Sequence, residues 1–203
     1  MKMNEQVVTQ TMSRVNDAFK ELNIPLWITD GTLLGYYREN DFIGHDLDAD
    51  FGCHINNFSE DIIPTLRKHG IIVNHSMGTV ERGLEFSLVL HPALLEDKKR
   101  VKVDVFFFYD DPSNNTVWHA AWMGYKHNNY NPREMIRYRY DKFDLEPIEF
   151  KGMKLLAPAK KDIEKILCAK YGDWKTPIAK WDWAYDPLNH ERTDIIEAIN
   201  QVQ

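Results

Sequence analysis

A chain of 203 residues with 43% hydrophobic and 12% aromatic content has the material for one globular domain with a real core. Its formal charge of −6 argues against nonspecific binding to a nucleic-acid backbone, and two cysteines are too few for a disulfide framework and not spaced as a zinc site. No apolar run is long enough to cross a bilayer and the N-terminus is polar, so the expectation is a cytoplasmic protein without an integral membrane segment, or a soluble domain working beside a membrane.

In chain order, Val7, Val8, Met12, Val15, Phe19 and Leu22 recur at helical spacing and predict an amphipathic helix over about residues 4–22, stopped by Asn23. Pro25 to Thr29 reads as a short strand, Asp30-Gly31-Thr32 as a turn with capping residues, and Leu33 to Arg38 as a short helix. An acidic stretch follows, FIGHDLDADFG from Phe42 to Gly52. Beyond it a helix is predicted over Ser59–His69, with Gly70 to Val73 as the start of a strand, then strands over Leu84–His91, Val101–Tyr109 and Val117–Met123. A shorter pair lies within Pro147–Leu156. Pro158 opens a helix that runs to Tyr171 and closes at Gly172, and Arg192 to Gln201 reads as a last, weaker helix. With no repeat and no linker, residues 1–203 are read as a single domain of α/β (α+β) class, a mixed β-sheet flanked by helices. Its core is placed at about residues 15–177, with an aromatic tail over 178–203. Cys53 and Cys168 are expected to be reduced and partly buried.

The acidic stretch carries the chemistry. On a strand, alternate side chains share a face, so Asp46, Asp48 and Asp50 are expected to point one way, roughly 6 to 7 Å apart, with Leu47, Ala49 and Phe51 in the core. Such a row repels itself unless a cation or an arginine faces it. Oxygen-only ligands suit Mg²⁺ or Mn²⁺ better than zinc. Two blander readings compete. A charged, solvated strand edge protects against aggregation. A calcium loop would match at Asp46, Asp48 and Asp50, but Phe51 stands where it needs glycine and Asn57 where it needs glutamate. Asp104 is the second signal, a lone acid in the β-forming run VKVDVFFF, where an unpaired buried carboxylate costs several kcal/mol. It is read either as salt-bridged to Lys102 or Arg100, or as a third metal ligand or proton acceptor beside Asp48 and Asp50. Asp30-Gly31-Thr32 opening a helix offers free N–H groups and close approach for a phosphate.

This order of parts resembles the nucleotidyltransferase superfamily of the DNA polymerase β type. More specifically, DGTLLGYYRENDFIGHDLDADFG, with the later VKVDVFFF and the run from Leu155 to Pro177 containing YGDW, is similar to the signature of the LicD/fukutin family. The resemblance implies an enzyme that moves a phospho-alcohol, such as phosphocholine or ribitol phosphate, from a CDP-linked donor to a saccharide or lipid-linked glycan acceptor. Mg²⁺ or Mn²⁺ is the implied cofactor. Carried over, Asp46, Asp48, Asp50 and Asp104 are the metal ligands, with Asp48, Asp50 and Asp104 catalytic, while Gly31, Thr32 and Arg38 meet the donor. His45 is a further candidate for donor contact. Arg38 has a structural alternative, pairing with an aspartate to fix its helix. Gly44-His45 stands where the family usually has Pro-Trp. The alternatives kept open are transfer of NMP to a small molecule or protein, and a non-catalytic binding domain of the same fold.

Overall fold

The computed structural model describes residues 3–96, 99–124, 132–178 and 180–198. Helix α1 (Glu5–Glu21) begins at Asn4, whose side chain accepts the Val7 N–H, and buries Val8, Met12, Val15 and Phe19 along the expected stripe. It packs with α3 (Ile62–Lys68) in the same core as Ala49, Phe51, Val103 and Val105.

The ten strands formed by the described residues are β1 (Trp27–Ile28), β2 (Asp48–His54), β3 (Ile71–Thr79), β4 (Arg82–Leu90), β5 (Lys102–Asp111), β6 (Thr116–Gly124), β7 (Arg133–Asp141), β8 (Leu145–Phe150), β9 (Met153–Pro158) and β10 (His190–Glu197). They join in the order β10-β7-β6-β5-β2-β1-β9-β8, with β3 and β4 branching from β5. The sheet is mixed: β2 runs parallel to β5, and β1 parallel to β9, while the other pairs are antiparallel. Strand β5 changes partners along its length. Its first half lies between β2 and β4, and from Tyr109 it pairs with β6. That exchange brings β4, β6 and β7 round the site. Helix α2 (Asp30–Glu39) follows β1, and α4 (Lys160–Tyr171) ends at Gly172, as its Gly signal predicts.

Several expectations need correction. Residues 190–197 are strand β10, not helix, because the open edge of β7 satisfies their backbone groups. Arg192 there grips Glu134 through two nitrogens at 2.9 and 2.6 Å, and Ile195 packs on the cluster of Met77, Ala120, Trp122 and Met135. The remainder of the expected helix, from 199, lies outside the described residues. Strand β7 is not predicted by the sequence pattern. Its arginines at 133, 137 and 139 mask a period of two in which Ile136, Tyr138 and Tyr140 turn inward. Asp30, Gly31 and Thr32 form the first turn of α2 rather than a turn ahead of it. Leu47 is 55% exposed, since the strand starts only at Asp48 and alternation has not yet begun. Cys53 is buried, but Cys168 is exposed.

Candidate active site

Register builds the site. Across the parallel β2–β5 pair, Asp48 lies opposite Lys102 and Asp50 opposite Asp104. On the other side of β5, Ser87 faces Asp104 and Glu85 faces Phe106. Because side chains alternate, Asp48, Asp50, Lys102, Asp104 and Glu85 share one face of the sheet. All five line a cavity of about 380 Å³, which Asp46 enters from the loop before β2. The side chains of β2 that face away, Ala49, Phe51 and Cys53, are fully buried in the core. The same alternation that anchors the strand therefore presents the acids.

Helix α2 holds the acids in place. The Thr32 N–H donates to Asp50 Oδ2 at 3.3 Å, and the Thr32 hydroxyl accepts the Asp50 N–H at 2.8 Å. Gly31 lets two carboxylates crowd the helix: a Cβ there would lie 2.8 Å from Asp46 Oδ2 and 3.3 Å from Asp50 Oδ2. The helix N-terminus, a place of unsatisfied N–H groups, thus meets protein carboxylates. Asp30, one residue earlier, is buried with φ at +45°, a region that Asp tolerates better than most residues. It accepts from Lys170 and, at 3.1 Å, from the Tyr140 hydroxyl, and lies 3.3 Å from His119 Nε2. This network ties α2 to α4, β6 and β7.

The electrostatics are those of crowded acids. Burial, then Asp48, lifts Asp46 to about 6. Burial, then the neighbouring Asp48, Asp30 and Asp104, raises Asp50 well above the ordinary carboxylate value. Burial also raises Asp104, only partly offset by Lys102, and burial with Asp104 lifts Glu85 to about 8. Burial works against the Asp30 carboxylate, yet Lys170 and His119 outweigh it and hold its pKa well below normal. Lys102 spans two acids, with Nζ at 3.2 Å from Asp48 Oδ2 and 3.3 Å from Asp104 Oδ2. The salt bridge considered for Asp104 is therefore present, and so is the apposition to Asp50.

Asp104 Oδ1 and Glu85 Oε2 are buried without a hydrogen-bond partner. An all-carboxylate donor set with an oxygen left unbonded fits a hard divalent cation such as Mg²⁺ or Mn²⁺. Among the described residues, however, no three His, Cys, Asp or Glu side chains are already gathered as a metal-binding cluster. Lys102 lies between two of the acids.

The other residues expected at the donor, Arg38 and His45, both reach the cavity, which aromatic side chains also line. Arg38 lines the cavity, pairs with Glu39 at 2.6 Å rather than with an aspartate, and donates to the Trp174 carbonyl at 3.2 Å. His45 is exposed at the rim. Tyr36 packs on Phe150, and Tyr37 packs on Trp174 and donates to Glu164. Trp174, Trp181 and Trp183 line the cavity, and the Tyr138 hydroxyl donates to the Trp183 carbonyl at 2.5 Å. Sequence reasoning missed Glu85, His119 and Lys170. Glu85 carried a usable signal, as the one acid in the apolar run LEFSLVL, the same signal that marked Asp104.

A mixed sheet that sets paired aspartates on one strand beside a third acid on its parallel neighbour, braced by the N-terminus of a helix, defines an enzyme fold of the nucleotidyltransferase type. The family described as LicD/FKTN/FKRP, nucleotidyltransferase domain, matches residues 23–160. The chain belongs to this family. It is 32% identical to ribitol-5-phosphate transferase FKTN of Mus musculus over 171 residues, 84% of this chain and 33% of that protein. The Homo sapiens protein of the same name is 32% identical over 170 residues, 83% of this chain and 33% of the relative. An uncharacterized Caenorhabditis elegans protein is 25% identical over 182 residues, 86% of this chain and 44% of its own length. The chain thus spans about a third of the length of the mammalian relatives it matches. Membership places it among enzymes of nucleotidyltransferase-type phosphotransfer. No helix among the described residues is long and apolar enough to cross a membrane.

Proposed function

We propose that this domain transfers a phospho-alcohol from a CDP-linked donor to a hydroxyl of a glycan acceptor and releases CMP, using Mg²⁺ or Mn²⁺. The observation that carries the reading is the apposition of Asp50 and Asp104 across β2 and β5, with Asp48 on the same face and the α2 N-terminus bonded to Asp50. The relatives' name, ribitol-5-phosphate transferase, supports a polyol phosphate as the group moved.

Asp46, Asp48 and Asp50 would hold the divalent ion, and Asp104 would complete that shell with one oxygen. Bound there, the ion would neutralise the donor's pyrophosphate and the charge on departing CMP. Asp104 would turn its other, unpartnered oxygen toward the attacking hydroxyl and accept its proton. The acceptor oxygen then forms a bond to the alcohol-bearing phosphorus as the bond from that phosphorus to the bridging oxygen breaks. Gly31, Arg38 and His45 line the cavity where donor phosphates would enter, while Thr32 acts through Asp50. Flat indole faces of Trp174, Trp181 and Trp183 offer a wall for sugar rings.

The test is product analysis with CDP-ribitol, CDP-choline and CTP, each with Mg²⁺ and a panel of glycan acceptors. Release of CMP from a CDP-linked donor, with a phosphodiester-linked product, is expected. Release of pyrophosphate from CTP with an NMP-modified product would replace this reading by nucleotidyl transfer, and turnover of no donor would leave a binding domain.

A further inference from the structure

Lys102 occupies the centre of the acidic face without belonging to the set of acids. Its Nζ lies 3.2 Å from Asp48 Oδ2 and 3.3 Å from Asp104 Oδ2, so one ammonium joins an acid of β2 to an acid of β5. A divalent ion held by Asp48 and Asp104 would compete with Nζ for the same carboxylate oxygens, because hard cations take oxygen ligands. The ammonium is also an incomplete partner, since Asp104 Oδ1 stays buried and unbonded beside it. Lys102 itself is 44% exposed, so its long stem can withdraw toward solvent.

We propose that Lys102 is a tethered counter-ion, which neutralises Asp48 and Asp104 before the divalent ion arrives and must be displaced for the ion to bind. The inference rests on the metal-dependent reading above and adds a residue that sets how tightly the metal is held.

Mn²⁺ binding followed by electron paramagnetic resonance on the 203-residue protein tests this with wild type, Lys102→Met and Lys102→Arg. Losing an ammonium that competes for the half-exposed Asp48 and the buried Asp104 corresponds to roughly tenfold tighter Mn²⁺ binding in Lys102→Met. Lys102→Arg should bind no tighter than wild type. Should Lys102→Met not fold, the wild type carries its own readout: acetylation of Lys102, followed by mass spectrometry, should rise when Mn²⁺ is added, because the expelled side chain is no longer held between two carboxylates. Equal or weaker Mn²⁺ binding in Lys102→Met, or Lys102 acetylation unchanged by bound Mn²⁺, overturns the proposal alone. Failure of the wild type and both variants to bind Mn²⁺ overturns it together with the metal-dependent reading.

Discussion

Gly31 is where a single atom separates folding from chemistry. A methyl group there meets Asp46 Oδ2 at 2.8 Å and Asp50 Oδ2 at 3.3 Å, yet within a helix glycine is the less stable residue by about 1 kcal/mol. Gly31→Ala should therefore melt within a few degrees of wild type while turnover falls by about 100-fold, the scale set by moving catalytic groups about 1 Å. A melting curve and a rate assay on one sample check this; equal activity would remove Gly31 from the machinery. Asp30 behaves differently. Its pKa is depressed from 3.8 in the folded state, so the stability it contributes is present above pH about 4 and is lost as pH falls through the lower folded value. Lys170→Met leaves that buried carboxylate without its ammonium and should cost about 3–5 kcal/mol in urea unfolding at pH 7. A loss below about 1 kcal/mol would show that the charge is solvated. At this scale Asp48, Asp50 and Asp104 were legible because acids stand out in apolar β-forming runs. Lys170 was not, since a lysine near the end of a helix looks like any solvated one.

At the scale of elements, the pairing of β2 with β5 decides which side chains meet, and pairing is not written in either strand alone. The alternation of Asp48, Ala49, Asp50 and Phe51 fixed a face, but only the parallel register placed Asp104 beside Asp50 and Lys102 beside Asp48. Strands β4, β5, β6, β8 and β9 were legible from runs of branched and aromatic residues, and α1 and α4 from helical spacing and end signals. Strand β10 was not, because its conformation depends on the edge of β7, and β7 was itself hidden by its arginines. The short β1 is held by packing rather than length. Trp27 is fully buried over Gly52, where a Cβ would come within 2.4 Å of the indole. Gly52→Ala should destabilise the protein by about 1–3 kcal/mol through overpacking of the β1–β2 pair, measured by denaturant unfolding. An unchanged midpoint would mean that the indole moves freely aside.

For the whole molecule, crowded acids make stability depend on pH and on cations together. Asp46 rises from 3.8 to about 6, and Glu85 from 4.5 to about 8. A raised acid pKa means the folded protein holds a proton that the unfolded chain has released. Metal-free stability should therefore decline between about pH 4 and pH 8. Cation binding needs the deprotonated carboxylates, so the rise in melting temperature on adding Mn²⁺ should be larger at pH 8 than at pH 6. A rise that is equal at both values, in thermal melts, would mean that the ion binds away from these acids. The domain matches a third of its mammalian relatives, and it carries the acidic face on β2, β5 and β4, with Asp46 from the loop before β2.

The most direct measurement is phosphorus NMR of CDP-ribitol with a glycan acceptor, wild type beside Asp50→Asn, with Mg²⁺ and with chelator. The predicted result is CMP and a new phosphodiester in the wild type with Mg²⁺ alone, reduced at least about 100-fold by Asp50→Asn while that variant stays folded. CMP formed equally in chelator, or at an unchanged rate by Asp50→Asn, would contradict a metal-dependent transfer centred on these aspartates.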